Sequence, residues 1–245
     1  MQAGCKKTPA PTTEKNYAII TGASRGIGLA SATLFLQHHY EVINLSRRAC
    51  PLPDAKNCLV DLGDPAAFST LNKTLPALLS YPNKITLVHC AMCLGHDNVY
   101  TADSHTLRTT LEIGIVAALR LNQLCLPFMK KNSSLIFVGS TLSEISAPNT
   151  LSYTIQKHAL LGLMRATCQD LTGSGIHTAC VCPGFTRTDM LNEHLSLEAQ
   201  QEIIKLVAGR RLIESDEIAR CIHFCAENPV INGSVLHAHL GQAIP

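Results

Sequence analysis

No run of 18 or more consecutive apolar residues occurs in this chain, which argues against a membrane-spanning helix. The stretch from Met1 to Glu14 carries Pro and Thr but no apolar centre, so no secretory signal is expected. Runs of basic residues are no longer than pairs, Lys6-Lys7, Arg47-Arg48, Lys130-Lys131 and Arg210-Arg211, and the formal net charge is +2. The basic stripe that would track a nucleic-acid backbone is missing. So are internal repeats, and low-complexity sequence is confined to the first fifteen residues. An even, framework-like cysteine set is also lacking. Eleven cysteines are scattered through apolar segments such as Val181-Cys182 and Phe224-Cys225. They read as reduced thiols that pack as small hydrophobes, in a cytoplasmic compartment. At 245 residues the chain can bury roughly 70–75% of its unfolded surface, enough for a full core in one α/β domain.

What is present begins at Thr21-Gly22-Ala23-Ser24-Arg25-Gly26-Ile27-Gly28. An apolar run, Tyr17-Ala18-Ile19-Ile20, precedes it and a helical segment from Leu29 to about Gln37 follows. A glycine-rich turn between strand and helix lets a ligand approach the backbone, and the helix N-terminus behind it favours a phosphate. That order is the signature of a dinucleotide-binding βαβ unit. The rest of the chain repeats the alternation. Strands are expected at 41–45, 58–60, 85–89, 135–138, 178–182 and 234–239. Helices are expected after Asp64-Pro65, with Asp64 as cap, and at about 104–131, 150–171, 197–207 and 215–226. Continuous apolar strands alternating with amphipathic helices predict a doubly wound parallel sheet of about seven strands with helices on both faces. This is a single Rossmann-like domain over residues 16–245 behind a flexible tail, 1–15.

The end of the second strand reads the cofactor. NAD sites place an acid there for the ribose 2′-hydroxyl, and NADP sites an Arg for the 2′-phosphate. Between Glu41 and Asp54 there is no acid, only Ser46-Arg47-Arg48. Arg25 is placed to reach the same phosphate, so NADP is expected. Asp61, after the third strand, is placed to accept from the adenine amine. Tyr153 and Lys157, four apart, share one helix face. A phenol titrates near pH 10, about three units too high for easy exchange at neutrality, and a neighbouring ammonium lowers that value. Such a Tyr protonates a carbonyl oxygen while a nicotinamide delivers hydride to its carbon. Ser140, at the end of the fifth strand, is placed to hold that oxygen. The carboxyl ends of parallel strands are where such sheets bind ligands.

Thr21-Gly22-x-x-x-Gly26-x-Gly28, Ser140, Tyr153-x-x-x-Lys157 and Pro183-Gly184-Phe185-Thr186-Arg187-Thr188 together resemble the short-chain dehydrogenase/reductase family over residues 16–243. Pro183 to Met190, Ala208-Gly209-Arg210 and Asp216-Glu217-Ile218-Ala219 look most like its 3-oxoacyl-[acyl-carrier-protein] reductases. The resemblance implies that Ser140 orients substrate, that Tyr153 is the acid/base, and that Lys157 also binds the nicotinamide ribose. It implies cofactor contacts from Gly22, Ser24, Arg25, Gly26, Ile27 and Gly28 in the turn, and from Ser46, Arg47, Asp61, Leu62, Cys90 and Ala91. Pro183 and Gly184 would line the nicotinamide site, Thr186 would bind its carboxamide and Thr188 would help hold the pyrophosphate. A homotetramer or homodimer is implied as well. The sequence departs from the family pattern at three places. His89-Cys90-Ala91-Met92 stands where the family reads Asn-Asn-Ala-Gly. Gly114 aligns with the family's Asn that holds a proton-relay water. His239-Leu240-Gly241 replaces Asp-Gly-Gly.

The expected activity is NADPH-dependent reduction of a carbonyl, plausibly a 3-oxoacyl thioester on an acyl carrier. Alternatives are another small ketone, sugar or pterin, or an NADP-binding regulator with impaired catalysis, a reading that Gly114 motivates. Lys130-Lys131 is placed to meet an acidic carrier but reads more simply as a solvated helix end. His89-Cys90-x-x-Cys93-x-x-His96 has zinc-type residues. Successive strand side chains point to opposite faces, however, so no metal site is expected. His237 and His239 share a strand face and read as structural, and Cys221 and Cys225 read as helix packing.

Overall fold

In the computed structural model, which describes residues 15–79 and 83–242, strand burial follows position in the sheet. β1 (Asn16–Thr21), β4 (Lys84–His89), β5 (Ser134–Val138) and β6 (His177–Pro183) are buried along almost their whole length, as is β2 (Glu41–Ser46). β3 (Lys56–Leu59) and β7 (Ser234–Ala238) are largely exposed because they are the edges. All pairings are parallel, in the order β3-β2-β1-β4-β5-β6-β7.

Alternate residues of the central strands feed two cores, one on each face. Ile19, Leu45, Leu87, Phe137 and Cys180 join Phe68, Leu71 and Leu75 of α2 (Ala67–Leu78), Leu121 and Cys125 of α4 (Ala117–Cys125), and Leu160 and Met164 of α5 (Leu151–Asp170). Ile20, Val42, Val88, Ile136 and Val181 join Ala32 and Phe35 of α1 (Gly26–Gln37) and Ile218 and Ile222 of α8 (Ser215–Glu227). Helices cover both faces, so the expected single Rossmann-like domain with seven parallel strands is what forms. The strand order reverses between β1 and β4, and ligands of such sheets bind outside the carboxyl ends at that point.

Boundaries differ from expectation where packing decides them. β3 is 56–59, not 58–60, since exposed edge residues give no apolar signal. Asp64 does not cap α2: its carboxylate accepts from the Ala66 N–H at 2.9 Å, and the helix starts at Ala67. The long helix expected to 131 runs as α3 (Ser104–Leu111), a π turn (Glu112–Val116), α4 and a 3₁₀ turn (Leu126–Phe128). Pro127 lacks the N–H that further α-helix would use. Lys130 and Lys131 therefore lie beyond the helix. The whole 104–128 stretch, 25 residues with a window of mean hydropathy 1.3, is long and apolar enough by length and composition to cross a membrane, which the search for unbroken apolar runs missed. It packs Ala117, Ala118, Leu121 and Cys125 into the molecule. α6 (Asp189–His194) was not foreseen; α7 (Leu197–Lys205) follows it. The expected N-terminal tail lies outside the described residues except for Lys15, which pairs with Glu41.

Candidate functional site

Two buried polar side chains shape the turn after β1. Thr21 Oγ1 accepts from the Cys90 and Ala91 N–H groups, each at 2.9 Å, tying the ends of β1 and β4 together. Asn44, fully buried in β2, accepts from the Ala23 N–H at 3.0 Å. Its amide donates to Arg48 O (3.0 Å) and to Asn57 Oδ1 (2.8 Å), so one residue fixes both the glycine turn and the loop carrying Arg47. Gly22 has φ +78°, and a Cβ at Gly28 would sit 2.3 Å from the Gly22 carbonyl oxygen; α1 packs that closely only with glycine there. No side chain caps the start of α1, which leaves its first N–H groups open to an anion.

The turn faces a groove of about 190 Å³. It gathers Gly22, Ser24, Arg25, Gly26, Ile27, Gly28, Ser46, Arg47, Asp61, Leu62, Cys90, Ala91 and Thr188, all singled out from sequence. Arg48, read from sequence with Ser46 and Arg47, also lines it, as do Leu45, Val60, Met92, Cys93, Ile113, Asp189 and Met190, which were missed. Most of these flank a residue already named, and that adjacency was the available signal. Ile113 comes from the long helix and only tertiary packing delivers it. Ser140, Tyr153, Lys157, Pro183, Gly184 and Thr186 lie outside this lining, and the segment after β6 is held by its own bonds. Gly184 N donates to Ala238 O (3.1 Å), and Thr186, buried, donates to Gly184 O (3.0 Å). Arg25 does not project alone into the groove. Its guanidinium meets Glu193 at 2.6 Å and Asp189 at 3.7 Å.

Beside the groove, Asp97 locks the start of α5. It is buried, accepts from Ser152 N at 3.0 Å and bonds the Ser152 hydroxyl. That sets Tyr153 and Lys157 on the first two turns. Tyr153 Oη points to Met92 Sδ, 4.0 Å away, and the nearby Ser140 hydroxyl favours its ionised form. Ser140 also accepts from Leu142 N at 3.1 Å. Lys157 Nζ donates to Val138 O (2.7 Å) and lies 5.4 Å from the centre of the Tyr153 ring.

The expected acidification of Tyr153 by Lys157 is corrected. Burial pushes the Tyr153 phenol up to about 12, with Ser140 pulling the other way. Burial also holds Lys157 down at about 8. Both groups are buried, which penalises either charge alone, and the ammonium bonds a backbone carbonyl rather than the phenol.

His89 is buried neutral, lowered by burial to about 4, and Nε2 donates to Asn122 Oδ1 at 2.8 Å. His96 packs instead against His194, ring to ring at 5.0 Å. Among the described residues no three His, Cys, Asp or Glu side chains gather as a metal would need, and all ten cysteines are free thiols. His237 lies 3.4 Å from Glu144 and 5.7 Å, ring to ring, from His239.

The chain matches the short chain dehydrogenase family over residues 16–199. It is 26% identical over 241 residues to 3-oxoacyl-[acyl-carrier-protein] reductase of Escherichia coli (94% of this chain, 98% of that one). It is 26% identical over 227 residues to carbonyl reductase family member 4 of Xenopus tropicalis (89% and 93%). Protein MoaE of Klebsiella aerogenes is 32% identical over 150 residues (56% and 58%), so the chain spans little more than half of that relative. Among solved structures, 4-hydroxyisoleucine dehydrogenase complexed with NADH superposes with a TM-score of 0.83 at 22% identity (93% and 99%). ElxO with NADP bound superposes with a TM-score of 0.81 at 20% identity (94% and 98%). Those likenesses establish the fold. The family match, over three quarters of the length and with the glycine turn, Ser140, Tyr153 and Lys157 in place, establishes more: the chain belongs to the short chain dehydrogenase family of oxidoreductases.

Proposed function

We propose that the protein reduces a carbonyl to an alcohol by hydride transfer from NADPH, with Tyr153 as general acid, Ser140 orienting the substrate oxygen and Lys157 supporting the phenol. The observation that carries this reading is continuity. The groove at the glycine turn runs past Ala91 to Met92, and Met92 meets the Tyr153 hydroxyl.

The residues present suit a dinucleotide. The uncapped start of α1, the glycine turn and Thr188 would hold the pyrophosphate, and Asp61 and Leu62 the adenine. Ser46, Arg47 and Arg48 border the groove with no acid among them, which supports NADP over NAD. Pro183, Gly184 and Thr186 would approach the nicotinamide end. When bound, the cofactor supplies the hydride. The side chains supply the proton. A phenol raised to about 12 is fully protonated at neutral pH, the form needed to donate to a carbonyl oxygen. The phenolate left behind gains the Lys157 ammonium as its nearest cation, and opposite charges away from bulk water attract strongly. The burial that disfavours each charge alone thus favours the pair.

A 3-oxoacyl thioester, free or on an acyl carrier, is the substrate supported by similarity to the E. coli reductase; a small ketone, sugar or pterin is the alternative. A homotetramer or homodimer and a cytoplasmic location belong to the same reading. Oxidation of NADPH and NADH across a panel of 3-oxoacyl thioesters and simple ketones tests it. Turnover of one class with NADPH supports the proposal. Cofactor binding with no turnover of any carbonyl points to the NADP-binding regulator. Arg47→Asp should weaken NADPH binding by about tenfold or more while NADH changes little. Equal losses would remove Arg47 from 2′-phosphate recognition.

A further inference from the structure

Gln156 occupies the space that Gly114 leaves empty. A Cβ built on Gly114 would lie 1.5 Å from Gln156 Nε2 and 2.4 Å from its Cδ, so the amide lies directly across the glycine. Gln156 is 1% exposed, precedes Lys157 on α5, and its Oε1 is buried without a hydrogen-bond partner. A buried acceptor left unsatisfied carries its full desolvation penalty. A cavity of about 10 Å³, the room of one water, lies among Gln156, Lys157, Gly114, His89 and Thr21. The Lys157 ammonium has three N–H donors and gives one to Val138 O. A polar cavity of this size, between an unpaired acceptor and a cation with donors to spare, is where water becomes part of a structure.

We propose that Gln156 is a positioning residue for proton exchange at Lys157, its Oε1 accepting from a water that in turn accepts from Lys157 Nζ. The inference rests on the reading of Tyr153 as a proton donor, which must be reprotonated every turnover. Lys157, buried beside it, is reached from this cavity, and Leu62, Ala91 and Ile113 line both the cavity and the cofactor groove. Gly114 is required because any side chain there displaces the amide. The other titratable groups facing Lys157 are Tyr153 on its own helix, His89 and Cys90 at the end of β4, and Cys180 and Cys182 on β6.

The test uses the full chain with Gln156→Met, similar in size but without the acceptor, and Gln156→Ala/Gly114→Asn, which returns an amide from the opposite element. Lysine Nζ NMR on the cofactor-free protein reads the Lys157 titration directly. Losing the bound water should lower its midpoint by roughly half a pH unit or more in Gln156→Met, and the double variant should recover it. In turnover, Gln156→Met should lower kcat by about tenfold with KM and NADPH affinity unchanged, and raise the solvent isotope effect. A folded Gln156→Met with an unmoved Lys157 titration overturns the proposal. So does a shared loss of kcat and NADPH affinity, which would mark Gln156 as merely structural. A Lys157 shift in a protein inert toward every carbonyl supports the water contact and sinks only the enzymatic reading.

Discussion

Tyr153 and Lys157 show how burial rewrites the chemistry of a residue pair. The sequence places them four apart, and a cation so placed is expected to acidify the phenol. The fold encloses both, so the phenol rises to about 12 and the ammonium falls to about 8. A protonated phenol is the donor that the proposed reduction needs. Tyr153→Phe should cut kcat by about 10²- to 10⁴-fold with NADPH affinity nearly unchanged, and substantial residual turnover would exclude the phenol as the acid. Lys157 loses its charge as pH rises through about 8, so kcat for reduction should decline above that pH. A profile flat to pH 10, about two units past that midpoint, would disconnect Lys157 from the phenolate. Their spacing together with their place beyond the fifth strand made both residues legible. Their titration was not, because desolvation depends on what surrounds them.

At the scale of elements, β1, its turn and α1 were readable because glycine spacing, an apolar strand and a helix N-terminus all point one way. The π turn at 112–116 was invisible, since it shifts the apolar pattern by a single residue within one turn and carries no residue signature of its own. α6 was invisible because it is six residues long, buries none of them and is fixed by the Thr188 cap (Leu191 N to Oγ1, 3.3 Å). Asn44 also escaped notice, as an isolated polar residue in an apolar strand carries no motif. It is the joint between β2, the glycine turn and the β2–β3 loop. Asn44→Ala would leave the Ala23 N–H without its acceptor and take one donor each from Asn57 Oδ1 and Arg48 O, at a cost of about 1–3 kcal/mol in urea unfolding. NADPH affinity should fall with it by about tenfold, roughly 1.4 kcal/mol. Lost stability with full affinity in calorimetric titration would refute the positioning role.

For the molecule as a whole, His89 couples the two sides of the site to acid stability. It is buried neutral against Asn122, with a folded pKa of about 4 against an ordinary 6.5. The unfolded chain binds more protons between those values, so this contribution is complete above pH 6.5 and is lost as pH falls toward 4. The whole effect is on the order of 3 kcal/mol. Urea midpoints should drop through that window, and His89→Gln should flatten the drop; an unaltered slope would show that other groups set it. The sequence by itself determined the parallel α/β architecture and the glycine turn, and it singled out Ser140, Tyr153 and Lys157 and the absence of an acid beside Arg47. These are carried by residue type and local period, which do not depend on distant contacts. Only the tertiary structure decided that Arg25 is engaged by Glu193, that Lys157 bonds Val138 O, and that Gln156 fills the space at Gly114. Each pairs residues from different elements across the folded core, and their meeting is set by how helices pack on the sheet.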